Sequence, residues 1–118
     1  MIDKKSFKLS ILIPCYNEKN TIEEVIKKII VSLKNYNFLN YEIIIVDDNS
    51  NDGTSEVLKR FESENKIKVF YHKKNSGKGG ALHTAIENSD SDITIIQDAD
   101  LEYDPFDYDK LLLPFFET

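Results

Sequence analysis

The sequence lacks tryptophan and has one cysteine (Cys15), one methionine, four glycines and three prolines in 118 residues. A lone thiol excludes an internal disulfide framework and any cysteine-built zinc site. No apolar run approaches the length of a membrane span. The stretch from Lys8 to Pro14 is too short for a signal peptide's apolar region plus its cleavage site. No repeat or low-complexity linker interrupts the chain. What remains is 41% apolar and 31% charged with a net charge of −6, the composition of one packed domain over residues 1–118, of cytoplasmic type.

The charge is unevenly placed. Nine of the 21 acidic residues fall within residues 90–118, where Lys110 is the one base. An acidic surface repels a nucleic-acid backbone, so nucleic acid is not an expected partner. Clustered carboxylates serve either as solvated loops or as a cation site, and their spacing has to distinguish the two.

Four β-like runs alternate with three helix-like ones, the pattern of an α/β domain with a mostly parallel sheet. The strands are read as Lys8–Ile13, Tyr41–Val46, Ile67–Tyr71 and Asp92–Ile96, short, rich in Ile and Val, and buried on both faces. Ile22, Val25, Ile26, Ile29, Ile30 and Leu33 form the stripe of an amphipathic helix, with Asn20 or Thr21 as its cap. A second helix, Thr54–Phe61, is expected to be capped by Asp52 and entered through Gly53, burying Val57, Leu58 and Phe61. A third follows Gly77-Lys78-Gly79-Gly80 and is expected to bury Ala81, Leu82, Ala85 and Ile86. The terminal apolar stretch Leu111–Phe116 calls for a partner: more sheet in a larger enzyme, packing on the domain itself, or a second copy of the chain.

In open parallel sheets ligands sit beyond the carboxyl ends of the strands, and here those ends are unusually polar. Asp98 and Asp100 flank one small residue after the fourth strand, where alternate side chains share a face and two carboxylates can hold magnesium or manganese. Asp47 and Asp48 end the second strand, where an ionised carboxylate requires hydrogen-bond donors or a ligand. Asp48 is the residue expected to accept from a base N–H, and one of the two can also cap the next helix. Tyr16 can stack on a base, and Asn17 and Glu18 can reach ribose hydroxyls. Gly77–Gly80 combines flexible backbone, a helix start and one cation, the ingredients of phosphate binding, but matches neither the GxGxxG fingerprint nor the GxxxxGK[ST] loop. His72 is read as a solvated strand edge, His83 has no assigned role, and Cys15 is a small packing residue.

Taken in order, PCYNE, VDDNSNDGT, NSGKGGAL and QDADLEYDP resemble the nucleotide-binding half of glycosyltransferase family 2 over residues 8–110. Within that family the last two segments look most like the dolichyl-phosphate or polyprenyl-phosphate hexose synthases. The resemblance implies a doubly wound, three-layer α/β sheet of the GT-A type. It places the nucleotide pocket on Pro14, Tyr16, Glu18, Asp48, Lys78 and Asp98, with Lys78 on the phosphate or base side. The metal segment falls on Asp98, Asp100 and Glu102. Glu102 departs from the glutamine frequent in the polyprenyl branch, which makes the segment more anionic. The implied reaction is inverting transfer of a hexose from a nucleoside-diphosphate sugar, such as GDP-mannose or UDP-glucose, to an acceptor such as a polyprenyl phosphate. The acceptor groove and the catalytic base of such enzymes would fall past Thr118, so a donor-binding chain with little transfer activity of its own is expected. Three other readings stand beside this one: a phosphorelay receiver, a sugar nucleotidyltransferase and a nucleotide-binding regulatory module. The expected sheet sets Asp48 and Asp98 at neighbouring strand ends.

Overall fold

A computed structural model of the chain describes residues 7–35 and 40–100. Its elements run β1 (Leu9–Cys15), α1 (Ile22–Asn35), β2 (Tyr41–Asp47), α2 (Thr54–Lys59), β3 (Ile67–Tyr71), α3 (Gly77–Glu87) and β4 (Ile93–Ile96). The four strands form one parallel sheet in the order β3-β2-β1-β4. Strand–helix alternation produces this arrangement because a parallel neighbour needs a crossover connection. The expected α/β, doubly wound sheet is observed. Leu111–Phe116 and Glu102 lie outside the described residues.

The two-residue period of a strand sends alternate side chains to opposite faces. On one face Leu9, Ile11, Ile13, Tyr41, Ile43 and Ile45 pack with Ile22, Val25, Ile26, Ile29 and Leu33 of α1 and Leu58 of α2. On the other, Leu12, Ile44 and Val46 meet Ala81 and Ala85 of α3. Every residue of β1 and β2 is buried, as the unbroken Ile/Val runs predict.

Several expectations are corrected. Strands β3 and β4 are the outer strands of the described sheet and are only partly buried, with Ile96 exposed. Helix α3 buries Ala81 and Ala85 but leaves Leu82 partly covered and Ile86 exposed, because the two alanines alone face β1 and β2. Helix α2 ends at Lys59, and Phe61 lies in the turn beyond it. Gly53, at φ 101°, is the N-cap of α2, a left-handed conformation suited to glycine. Asp52 still serves this helix start from one residue earlier, accepting the Thr54 N–H at 2.9 Å and the Thr54 hydroxyl. Asp48 and Asp98 are not at neighbouring strand ends: β2 and β4 pair with opposite edges of β1, so one strand lies between them.

Candidate functional site: the cleft at the carboxyl edge of the sheet

The loop after β1 is sewn to the loop after β2. Asn17 and Asn49 take left-handed conformations, φ 52° and 64°, which asparagine tolerates better than most residues. Asn17 N–H donates to Ser50 Oγ at 2.9 Å, Asn51 N–H donates to Asn17 Oδ1 at 2.9 Å, and Glu18 N–H donates to Thr54 Oγ1 at 3.0 Å. Asn17 therefore holds two loops together with the oxygen expected to reach a ribose. Thr21 stands at the cap position expected of it, immediately before Ile22 with its carbonyl accepting the Val25 N–H at 3.0 Å, and its hydroxyl donates to the Ala99 carbonyl at 2.6 Å, tying the start of α1 to the turn after β4.

Asp48 is a buried carboxylate with four donors. Oδ1 accepts from the Ser76 N–H at 2.8 Å, the Ser76 hydroxyl at 2.9 Å and His72 Nδ1 at 2.8 Å, while Oδ2 accepts from the Gly77 N–H at 2.7 Å. Burial alone would raise its pKa, but these donors to the ionised form hold it below the ordinary carboxylate value. The next-helix cap considered for this aspartate pair is thus found one helix later, with Asp48 serving the start of α3. Asp47 instead folds back on Ser50, whose N–H and hydroxyl it accepts, and burial pushes its pKa up.

His72 is not the solvated edge residue expected of it. β2 and β3 are in register through Asp47 and Tyr71, so the next residue of each strand, Asp48 and His72, also lie side by side. The second ring nitrogen, Nε2, lies 2.7 Å from Thr84 Oγ1 of α3. His83 makes only an exposed pair with Glu87.

Pro14, Cys15, Tyr16, Glu18, Asp48, Lys78, Ala81, Asp98, Ala99 and Asp100 line a cleft of about 270 Å³ at the carboxyl edge of the sheet. Pro14 and Cys15 end β1, the inner strand flanked by β2 and β4, and line the cleft together with the carboxylates that follow those two strands, so Asp48 and Asp98 share one cavity across an intervening strand. Seven of the eight residues expected in the site line this cleft, and the eighth, Glu102, lies outside the described residues. Cys15 is buried and its thiol pKa is pushed up by desolvation and by the nearby Asp47, Glu18 and Asp52 charges, the behaviour of a packing residue. Lys78 in the first turn of α3 places Nζ 2.7 Å from Asp98 Oδ1. Ala81, expected only as a buried helix residue, and Ala99, the small residue between the two aspartates, also line the cleft, a place for which a small side chain gives no chemical signal in the sequence. Among the described residues no group of three His, Cys, Asp or Glu side chains gathers as a metal cluster. Magnesium and manganese need no more than one or two protein carboxylates when phosphate oxygens and waters complete their shell, so Asp98 and Asp100 suit them.

The profile of Glycosyl transferase family 2 matches residues 10–118. The chain belongs to glycosyltransferase family 2. It is 35% identical over 105 residues to a dolichol-phosphate mannosyltransferase of Pyrococcus furiosus, covering 89% of this chain and 29% of that protein. It is also 35% identical over 120 residues to a UDP-N-acetylglucosamine–dolichyl-phosphate N-acetylglucosaminyltransferase of Methanococcus voltae, covering 88% of this chain and 45% of that one. Among solved structures, a mannosyltransferase of Pyrobaculum calidifontis in complex with GDP-Man and Mn²⁺ superposes with a TM-score of 0.68 at 28% identity, over 78% of this chain and 27% of that one. The family 2 chain thus spans less than half the length of these relatives. Membership displaces the receiver and nucleotidyltransferase readings. Among the described residues no helix is long and apolar enough to cross a membrane.

Proposed function

We infer that the cleft is the donor site of an inverting glycosyltransferase that moves a hexose from a nucleoside-diphosphate sugar to a polyprenyl phosphate. The observation supporting this reading is the convergence of Pro14, Tyr16, Glu18, Asp48, Lys78, Asp98 and Asp100 on one cleft at the carboxyl edge of a parallel sheet. Tyr16 is 46% exposed, lines the same cleft as Asp48 and offers a ring face for a base to stack on. Asp48 is held ionised, and its Oδ2 has acceptor capacity beyond the Gly77 N–H for a base N–H. Uracil and guanine both present such a donor, and the relatives named above include both UDP- and GDP-linked sugars. Glu18 would face the ribose, and Lys78 the phosphates.

Asp98, Asp100 and Glu102 would hold one divalent cation, magnesium or manganese, through hard oxygen ligands. Such an ion, when bound, stabilises negative charge on the departing diphosphate. The protein's own part is to seat the base, present carboxylates to the cation and keep an ammonium beside the leaving group. A polyprenyl-phosphate acceptor would put this chemistry at the cytoplasmic face of a membrane.

The test is calorimetric titration of the purified chain with UDP and GDP, with and without manganese, beside the Asp100→Asn variant. The reading predicts manganese-dependent binding of one nucleotide and a loss of at least about tenfold in the variant, the scale of a charged hydrogen-bonding partner removed. Binding of neither nucleotide would contradict it. With the matching nucleoside-diphosphate sugar supplied in place of the free nucleotide, binding with no sugar released or transferred would favour a donor-binding module over a complete enzyme.

A further inference from the structure

Lys78 is the cationic member of the described cleft lining, which also includes the carboxylates of Glu18, Asp48, Asp98 and Asp100. Its side chain is 60% exposed and that of Asp98 is 21% exposed, with Nζ and Oδ1 2.7 Å apart. Lysine carries a compact, strongly hydrated charge on a flexible four-carbon stem. The ammonium can therefore turn about its stem while the first turn of α3 stays anchored through the Ser76 and Gly77 N–H bonds to Asp48. The oxygen it holds belongs to Asp98, which the donor-site reading pairs with Asp100 as a ligand of the divalent cation, and two cations on one oxygen repel.

We propose that Lys78 is a tethered counter-ion that occupies the Asp98 side of the metal position until donor and metal arrive, then moves its hydrogen bond to the donor diphosphate. This deepens the donor-site reading and rests on it. In the exchange an Nζ–H···Oδ1 bond is given up and an Nζ–H···O–P bond is made, with no proton transferred and no covalent bond altered. Metal binding without nucleotide must displace the ammonium, whereas metal with a diphosphate gives that ammonium a new anionic partner. Metal and nucleotide therefore favour each other's binding, and the coupling is reciprocal. The same exchange keeps an otherwise anionic cleft from drawing in divalent cations when no donor is present.

The test measures Mn²⁺ affinity of the nucleotide-free chain by electron paramagnetic resonance, then UDP and GDP affinity at saturating Mn²⁺, in wild type, Lys78→Met and Lys78→Arg. In Lys78→Met the nucleotide-free Mn²⁺ affinity is expected to rise by about 2–5-fold, the scale of a partly exposed ion pair removed. Nucleotide affinity with Mn²⁺ is expected to fall by about tenfold, as for loss of a charge-assisted hydrogen bond. Lys78→Arg, which keeps the charge, should retain the weak nucleotide-free Mn²⁺ binding of wild type. Because the side chain is largely exposed, thermal midpoints of the three proteins should agree, which separates these effects from misfolding. Equal or weaker Mn²⁺ binding by Lys78→Met would overturn the proposal while leaving the donor site standing, provided the wild type binds nucleotide with Mn²⁺. A wild-type chain that takes up neither Mn²⁺ nor nucleotide would overturn the donor-site reading and this inference with it.

Discussion

Asp48 carries two duties that pull on one side chain: it anchors the start of α3 and it faces the cleft. Replacement by asparagine would aim an NH₂ group at N–H donors or leave them unpaired. Asp48→Asn should therefore lower stability by about 1–3 kcal/mol in urea unfolding, in addition to weakening nucleotide binding. Glu42 is a second buried carboxylate, remote from the cleft on β2. It accepts from Ser10 Oγ at 2.6 Å, the Asp90 N–H at 2.9 Å and Lys68 Nζ at 3.1 Å. Burial would raise its pKa, but these donors outweigh it and hold the value below its ordinary 4.5. A carboxylate with a lowered folded pKa contributes stability that is fully present above its unfolded pKa and lost as pH falls through the folded one. Asp48 and Glu42 both have this sign, so their contribution to the unfolding free energy should be fully present from neutral pH to about 5 and lost below about 4, whereas Asp47, whose pKa is raised, contributes with the opposite sign. In the Glu42→Gln variant the fall below pH 4 should be shallower, and equal slopes in the two proteins would contradict the assignment. The residue types of the site were legible because carboxylates, a tyrosine and a lysine at strand ends announce polar chemistry. The role of His72 was not, because it depends on the pairing register that sets it against Asp48, and register is a property of two strands.

At the scale of elements, β1 and β2 were legible because strands buried on both faces need apolar side chains at every position, and Tyr41–Val46 has almost nothing else. The outer strands and α3 were read less well. Ile93–Ile96 contains three isoleucines as a central strand would, yet it lies at the edge of the described sheet and Ile96 faces outward. Helix α3 was assigned a wider buried face than it has, because a helix laid on a sheet through two alanines approaches closely and leaves its flanks uncovered. These differences give a measurable contrast. Ile43→Ala, at a fully buried position between β1 and β3, should cost about 2–5 kcal/mol in equilibrium unfolding. Val31→Ala, at a position of α1 that is 47% exposed, should lie within about 0.5 kcal/mol of wild type.

At the scale of the whole molecule, a four-stranded parallel sheet with α1 and α2 on one face and α3 on the other brings three strand ends to one cleft. The inner strand β1 ends in Pro14 and Cys15, which line the cleft, while the segments after β2 and β4 supply carboxylates from either side. That division explains why the site survives the correction of strand order: Asp48 and Asp98 need a common cavity, which adjacency of their strands is not required to create. The family 2 relationship joins this chain to longer proteins, of which the matched part makes up 29% and 45%. The most direct test of the central claim is anomalous diffraction at the manganese edge from crystals of the chain grown with Mn²⁺ and whichever of UDP or GDP binds. One manganese peak is expected within about 2.3 Å of carboxylate oxygens of Asp98 or Asp100, with the nucleotide diphosphate against it and the base beside Tyr16 and Asp48. A nucleotide bound elsewhere, or a manganese peak away from both aspartates, would contradict it.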